Sequence, residues 1–403
     1  MTVGIGGSTS AIELDKITDM TQGVQPIARE EYAKRIEKAS RVMKEHSVNV
    51  MYLNAGTNLY YFTGTQWSAS ERMVGALLFE DGTLEYIVPN FEIGTFKKYM
   101  KMEGHINGWE EHESPYALMG IILHNKNIGN ATIAIDESAP YFLVDEVAKA
   151  NNTCTLVNAL PITSSCRMQK SPNEIAILQR AKNITMAVQR ATAKILRPGI
   201  TVDEVKDFIY RAHIKAGIPS GSYFCIVLFS DDTQFPHGVS VPQALKENDA
   251  VIVDTGCKLE GYISDITRSY AYGKPSKAYA TIWNLEKAAQ LAAFQAAQLG
   301  ASCGAIDDAV RKTLAEAGLS ADYDLPGLPH RVGHGTGLDI HEYPYLVRGS
   351  EIKLLEGMVL SNEPMICVPG KFGIRHEDHF YMTKNGPKWF TAPMYTIDNP
   401  FGY

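Results

Sequence analysis

No stretch of this 403-residue chain is apolar over anything near the roughly 18 residues that a transmembrane helix requires. That excludes a helical membrane protein. Residues 1–27 lack the basic start and apolar core of a secretory signal. The six cysteines (Cys154, Cys166, Cys225, Cys257, Cys303, Cys367) include no C-x-x-C pair. Without an export signal they read as free thiols in a reducing compartment, so the cytoplasm is the expected location. The Asn-x-Thr triplets at Asn130, Asn151 and Asn183 are then chance matches. Positive charge is also in deficit. A net charge of −7 and a pI near 5.9 argue against nucleic acid, whose partners carry a basic face.

What is present is an ordinary globular balance, 45% hydrophobic and 21% charged, in a chain comfortable for two domains. Residues 29–47 have the spacing of an amphipathic helix, with Tyr32, Ile36, Val42 and Met43 on its apolar face. VNVMYL, LYYFTG, GALLFE and TLEYIV follow at strand length, broken by Asn-Ala-Gly and Asp-Gly turns. This alternation predicts a small α/β domain over 28–160, after an N-terminal extension (1–27). A linker is expected at 161–171 and a second domain at 172–403. Ser171-Pro172-Asn173-Glu174 and Thr201-Val202-Asp203-Glu204 are capping boxes that open helices. The strand SYFCIVLFS, a hairpin, an Ala-rich helix (276–299), another helix (304–317) and a second hairpin complete the pattern. Helix, helix, hairpin thus occurs twice, and pattern alone supports α+β with antiparallel strands.

The two hairpins carry the chemistry. Asp254 and Asp265 bracket one of them, and folding about the midpoint between Leu259 and Glu260 sets them opposite each other. Opposed residues share a face with Cβ atoms roughly 4.5–5.5 Å apart. Glu363 and Glu377 repeat this about Gly370, inside the turn-forming run Pro369-Gly370-Lys371. Between the hairpins, GHGTGLDIHE offers His334. Single carboxylates near turns are ordinary surface residues. Two turn-centred pairs flanking Gly-His-Gly are better explained by metal. Carboxylates with one imidazole suit Mn²⁺, Co²⁺, Zn²⁺ or Fe²⁺, and five ligands suit a pair of ions roughly 3.5–4 Å apart.

The ordered set D-T-G-x(4)-G-Y-x-S-D-I-T-R, H-R-x-G-H-G-T-G-L-D-I-H-E-x-P, N-E-P and G-I-R-x-E-D resembles the pita-bread metallopeptidases, in their prolidase and aminopeptidase P branch. The resemblance covers nearly the whole chain, because MYLNAGTNLYYFTGT and ERMVGALLFEDG are similar to that branch's smaller domain. It implies an α+β fold: a small creatinase-like α/β domain followed by a duplicated pita-bread catalytic domain. It also implies a dinuclear-metal hydrolase, most simply with Mn²⁺, cleaving Xaa-Pro bonds in small peptides. A homodimer is implied as well, with Trp67 of one subunit a candidate to reach the other's site.

Residue by residue, the resemblance gives Asp254, Asp265, His334, Glu363 and Glu377 as ligands, with Asp265 and Glu377 bridging. Glu363 would also move the proton from the attacking water to the leaving prolyl nitrogen, a poor leaving group unless protonated. His237 and His341 would face the scissile carbonyl, where an imidazolium stabilises developing charge. Arg375, two residues before Glu377 on the same strand face, would pair with a ligand carboxylate. His330, His376 and His379 have weaker claims, and His376 should point to the opposite face from Glu377.

One departure stands out: the family's E-P-G-x-Y is Glu363-Pro364-Met365-Ile366-Cys367 here, so Cys367 replaces a tyrosine. The first alternative is an aminopeptidase P acting on longer peptides. The second is a metal-dependent lyase on the same fold, against which Gly256 stands where such enzymes carry an aspartate.

Overall fold

Turn punctuation divides the first third of the chain into short segments, and the computed structural model, which describes residues 2–403, assembles these into one sheet. The described chain forms two units. Ile27–Arg167 is one. The other joins Met168–Tyr403 to the residues before Ile27, which contain helix α1 (Ser10–Lys16).

In the first unit, helix α2 (Arg29–Glu45) buries Tyr32, Ile36, Val42 and Met43, the face its spacing predicts. Strand β1 (Val50–Asn54) leads to helix α3 (Thr57–Thr63), which corrects the strand expected at LYYFTG. Aromatic and apolar composition suggests a strand there, but short apolar runs do not separate the two periods. Gly64, left-handed at φ +68°, closes the helix. Strands β2 (Gly75–Phe79) and β3 (Leu84–Pro89), helix α4 (Ile93–Tyr99), β4 (His105–Trp109) and α5 (Pro115–Asn125) follow. Next come β5 (Thr132–Ile135), α6 (Tyr141–Ala150) and β6 (Thr155–Asn158). The mixed sheet has the order β4-β3-β2-β1-β5-β6. The segment expected as a linker at 161–171 is mostly helix α7 (Leu160–Arg167), tied to α3 by the Tyr61 hydroxyl, which donates to Cys166 O at 2.9 Å.

The second unit opens with α8 (Pro172–Ile195) and α9 (Val202–Lys215), each started by its capping box. Strands β7 (Phe224–Phe229) and β8 (Ala250–Gly256), a tip formed by β9 (Lys258–Leu259) and β10 (Tyr262–Ile263), and β11 (Ile266–Ala271) come next. Their sheet is antiparallel with order β11-β8-β7. The second half repeats the plan: α10 (Lys277–Ala296), α11 (Cys303–Glu316), then β12 (Gly333–Gly335), β13 (Glu342–Leu346), β14 (Val359–Asn362), β15 (Met365–Val368), β16 (Phe372–Arg375), β17 (Asp378–Thr383) and β18 (Gly386–Trp389). The sheet order there is β13-β12-β14-β17-β18. The two halves meet through backbone and hydroxyl contacts. Glu377 N donates to Thr267 O at 3.1 Å, and Ser269 Oγ accepts from Arg375 N at 2.9 Å.

The described residues before Ile27 pack within this second unit. Gly6 N donates to Ala193 O at 2.8 Å and Val3 N to Asp398 O at 2.8 Å, while Ile5 and Leu14 share a core with Phe401. Among the described residues, no helix is long and apolar enough to cross a membrane.

Candidate metal centre

The first hairpin turns at Glu260 and Gly261, with φ +49° and +87°, so Leu259 pairs with Tyr262. A two-residue turn with both central residues at positive φ matches the twist of the flanking strands, and Gly261 meets that demand. The register therefore differs by two from the one expected. Asp254 lies opposite Thr267, and Asp265 comes two residues before Thr267, immediately ahead of β11. An even shift keeps every side chain on its face, so both aspartates still point the same way. The arms run very close at this level: a Cβ on Gly256 would lie 1.7 Å from Ser264 O. The second hairpin has the expected register. Asn362 pairs with Asp378 and Met365 with Arg375, which brackets Glu363 opposite Glu377 around Gly370.

His334 sits on β12, between β13 and β14. The strands close in so tightly that a Cβ at Gly333 would fall 2.2 Å from Ser361 O. His334 Nδ1 lies 2.9 Å from Gly335 O, to which it donates, leaving the lone pair on Nε2. Nε2 is buried, 2.9 Å from Glu363 Oε1 and 3.9 Å from Asp265 Oδ2, and has no hydrogen-bond partner. A lone pair facing carboxylate oxygens in a buried pocket is repulsive until a cation lies between them.

Three overlapping trios bring their ligand atoms within 4.8 Å of one another: Asp265, His334 and His341; Asp265, Glu377 and His379; His334, Glu363 and Glu377. Asp254 stands outside these trios. Its Oδ2 accepts from Arg375 Nη2 at 2.5 Å, while its buried Oδ1 has no hydrogen-bond partner. Burial, then repulsion from Asp254 and Glu363, pushes Asp265 well above the usual carboxylate range. Glu377 is raised in the same way, by burial and then by Asp265. For Asp254, burial outweighs the attraction of Arg375 and the net shift is again upward. Burial acts to raise Glu363 too, but a proton on His334 Nε2, 2.9 Å away and supplying the positive charge that a metal would, overrides it and the carboxyl is lowered. Acidic oxygens crowded into a dry pocket fit divalent ions, and the five expected ligands, four carboxylates and the imidazole of His334, suit a hard or borderline metal.

The other expected residues are distributed around this cluster. His341 is exposed at the rim, its ring edge-on to that of His334 at 4.3 Å. His237 is exposed on the loop after β7, near enough for its charge to act on His330 and His341. His376 faces away, toward Glu286 and the ring of Trp283. Cys367 is buried in the core of the second half, its backbone paired with Gly327.

Two residues, Thr267 and Lys182, escaped the sequence reading, and His379 was given too little weight. Thr267 Oγ donates to Glu377 Oε2 at 2.7 Å and accepts from Arg375 Nε at 3.0 Å. Its place two residues after Asp265, on the same strand face, is a signal that could have found it. His379, given a weaker claim, has Nε2 3.3 Å from Glu377 Oε1. Lys182 on α8 is fully buried with Nζ 2.7 Å from His379 Nδ1. Burial pulls Lys182 down to about 7, against the opposing fields of Asp265 and Glu377.

Comparison with known proteins agrees with this geometry. Residues 176–384 match the model of metallopeptidase family M24, and residues 35–169 match the creatinase/prolidase N-terminal domain. The chain is 32% identical over 354 residues to the putative dipeptidase YkvY of Bacillus subtilis, covering 87% of this chain and 96% of that one. It is 29% identical over 362 residues to the Xaa-Pro dipeptidase of Lactobacillus helveticus, covering 88% and 96%. Among solved structures, dipeptidase PepE from Mycobacterium ulcerans superposes with a TM-score of 0.85 at 30% identity, covering 91% of this chain and 97% of the other. The prolidase from Thermococcus sibiricus gives 0.81 at 26% identity, covering 90% and 97%. A matched catalytic region, a matched N-terminal domain and full-length relatives lead to one conclusion: the chain belongs to metallopeptidase family M24, in its prolidase and aminopeptidase P branch.

Proposed function

We propose that this metallopeptidase is a dinuclear Xaa-Pro dipeptidase, manganese-dependent and acting as a cytoplasmic homodimer. The observation that carries the reading is the buried, partnerless Nε2 of His334 among the oxygens of Asp265, Glu363 and Glu377. Asp254, Asp265, His334, Glu363 and Glu377 would hold two ions, Asp265 and Glu377 bridging them. When bound, such a pair supplies Lewis acidity and a nucleophile active near neutral pH. The protein's own groups then do the rest. Glu363 Oε1 accepts from Ser361 Oγ at 3.1 Å, which steadies the carboxylate that takes the water's proton and passes it to the prolyl nitrogen. His341 and His237 donate to the carbonyl oxygen as charge develops on it. Arg375 neutralises and aims Asp254. Naming supports the substrate class, since relatives carry the names Xaa-Pro dipeptidase and prolidase. A lyase with an aspartate at position 256 fits poorly, because the Gly256 backbone already touches the opposite arm.

The test is chelation and then a substrate comparison. EDTA should abolish cleavage of Leu-Pro, and Mn²⁺ or Co²⁺ should restore it. Leu-Pro should be favoured over a Leu-Pro-x tripeptide by at least tenfold in kcat/KM, about 1.4 kcal/mol. Full activity in metal-free protein would overturn the metal reading. Faster tripeptide cleavage would move the assignment to aminopeptidase P.

Cys367 bears on efficiency. Its side chain is enclosed by core residues, so Cys367→Tyr should overpack the site, lowering stability by about 1–3 kcal/mol without raising kcat. A several-fold gain in kcat at unchanged Tm would show instead that an oxyanion contact is missing.

A further inference from the structure

Helix α8 turns a polar stripe into the core. Lys182, Thr185, Gln189 and Thr192 fall at helical spacing, and all are fully buried. Gln189 Nε2 donates to Val253 O at 3.0 Å and Ile266 O at 2.8 Å, and Thr185 shares a 2.7 Å hydrogen bond with Ser264. These contacts fasten the helix to the first hairpin. Lys182 reaches further. Among the described residues its one hydrogen-bond partner is His379 Nδ1 at 2.7 Å, with the ring of Phe390 at 5.3 Å.

The direction of that hydrogen bond follows from the next link. His379 Nε2 lies 3.3 Å from Glu377 Oε1, and the ionised carboxylate that a metal ligand must present requires a donor there. The ring proton therefore sits on Nε2. Nδ1 is left as an acceptor, and the amine of Lys182 supplies the N–H that it accepts. An amine carries N–H donors in both protonation states. On the other side of the carboxylate, Thr267 Oγ donates to Glu377 Oε2 at 2.7 Å. Each carboxylate oxygen offers two lone pairs, so one donor on each leaves one lone pair per oxygen facing the site.

We propose that Lys182 is a positioning residue of the metal centre: by fixing the His379 tautomer it holds Glu377 with a lone pair of each oxygen free toward the site and bars His379 from serving as a ligand. The inference rests on the metal-centre reading above. Hydrogen-bonded supports behind metal ligands commonly govern affinity by about 10–100-fold. A structural role would leave a different mark, because replacing a buried charge by an apolar side chain of similar volume is often neutral or stabilising.

The test is calorimetric titration of metal-free protein with Mn²⁺. Wild type should take two ions. Lys182→Met should weaken their binding about 10–100-fold while the Tm of the metal-free protein holds or rises. Lys182→Arg, which keeps a donor, should recover part of the loss, and His379→Gln should bind better than His379→Ala. Binding of both ions by Lys182→Met within twofold of wild type would overturn the proposal. If that variant fails to fold, ¹⁵N-histidine spectra of the Zn²⁺-loaded wild type decide: protonated Nε2 with bare Nδ1 supports the proposal, and protonated Nδ1 or metal-bound Nε2 overturns it. A wild type that takes fewer than two Mn²⁺ overturns the metal-centre reading itself, before any variant is made.

Discussion

Asp265→Asn should empty the centre. The asparagine nearly preserves side-chain shape but removes a charge that a bridging ligand presents to both ions. Bound Mn²⁺ should fall below two per chain, and activity should drop by more than the roughly 100-fold typical of losing a supporting residue. Stability should move the other way. Burial and repulsion from Asp254 and Glu363 hold the Asp265 carboxyl far above its usual range, so its ionised form strains the metal-free protein. Removing that charge should raise the Tm of the metal-free variant above that of the metal-free wild type. Measured metal content and two melting curves check this together. A variant with two bound ions and near-normal turnover would remove Asp265 from the ligand set.

Glu363→Gln isolates the proton shuttle. An amide can still accept from Ser361 and can still offer an oxygen to an ion, but it takes up no proton. At saturating Mn²⁺ the expected result is a fall in kcat of about 10²–10⁴-fold with little change in KM, the range for general acid–base catalysis. Stopped assays of Leu-Pro cleavage with parallel metal analysis would read it. A kcat within tenfold of wild type would transfer the shuttle to another group.

Most of the catalytic scaffold was legible in the residues. Both capping boxes formed, because each satisfies backbone donors locally and needs nothing from the rest of the fold. The second hairpin has the register read from Pro369-Gly370-Lys371, since turn chemistry alone sets that pairing. The first was misread by two residues because the turn was centred one position before Glu260-Gly261, and the faces survived only because the error was even. LYYFTG folded as α3 and 161–171 mostly as α7, where packing within the unit outweighs local composition. The face of Arg375 was readable from period two. Its choice of Asp254 as partner was not, because that pairing spans 121 residues and depends on how the halves meet. Lys182 was half-legible: a lysine in step with Leu178 and Thr185 on the buried side of α8 breaks the amphipathic pattern, but nothing in the chain points from it to His379.

The strap formed by the first residues has a consequence for how the protein is made. Val3 binds the backbone of Asp398, and Ile5 and Leu14 share a core with Phe401, so these partners are separated by nearly the full 403-residue chain. Contacts of such sequence separation form late and slow folding, because the intervening loop must be closed first. During synthesis the Ile27–Arg167 unit emerges with its own sheet partners already available. In the catalytic unit Ile5 and Leu14 can meet the α8 and α9 side of their core first, and they lack Phe401 until the last segment arrives. Between those two events this part of the core is incompletely covered, the condition in which folding intermediates are most prone to associate.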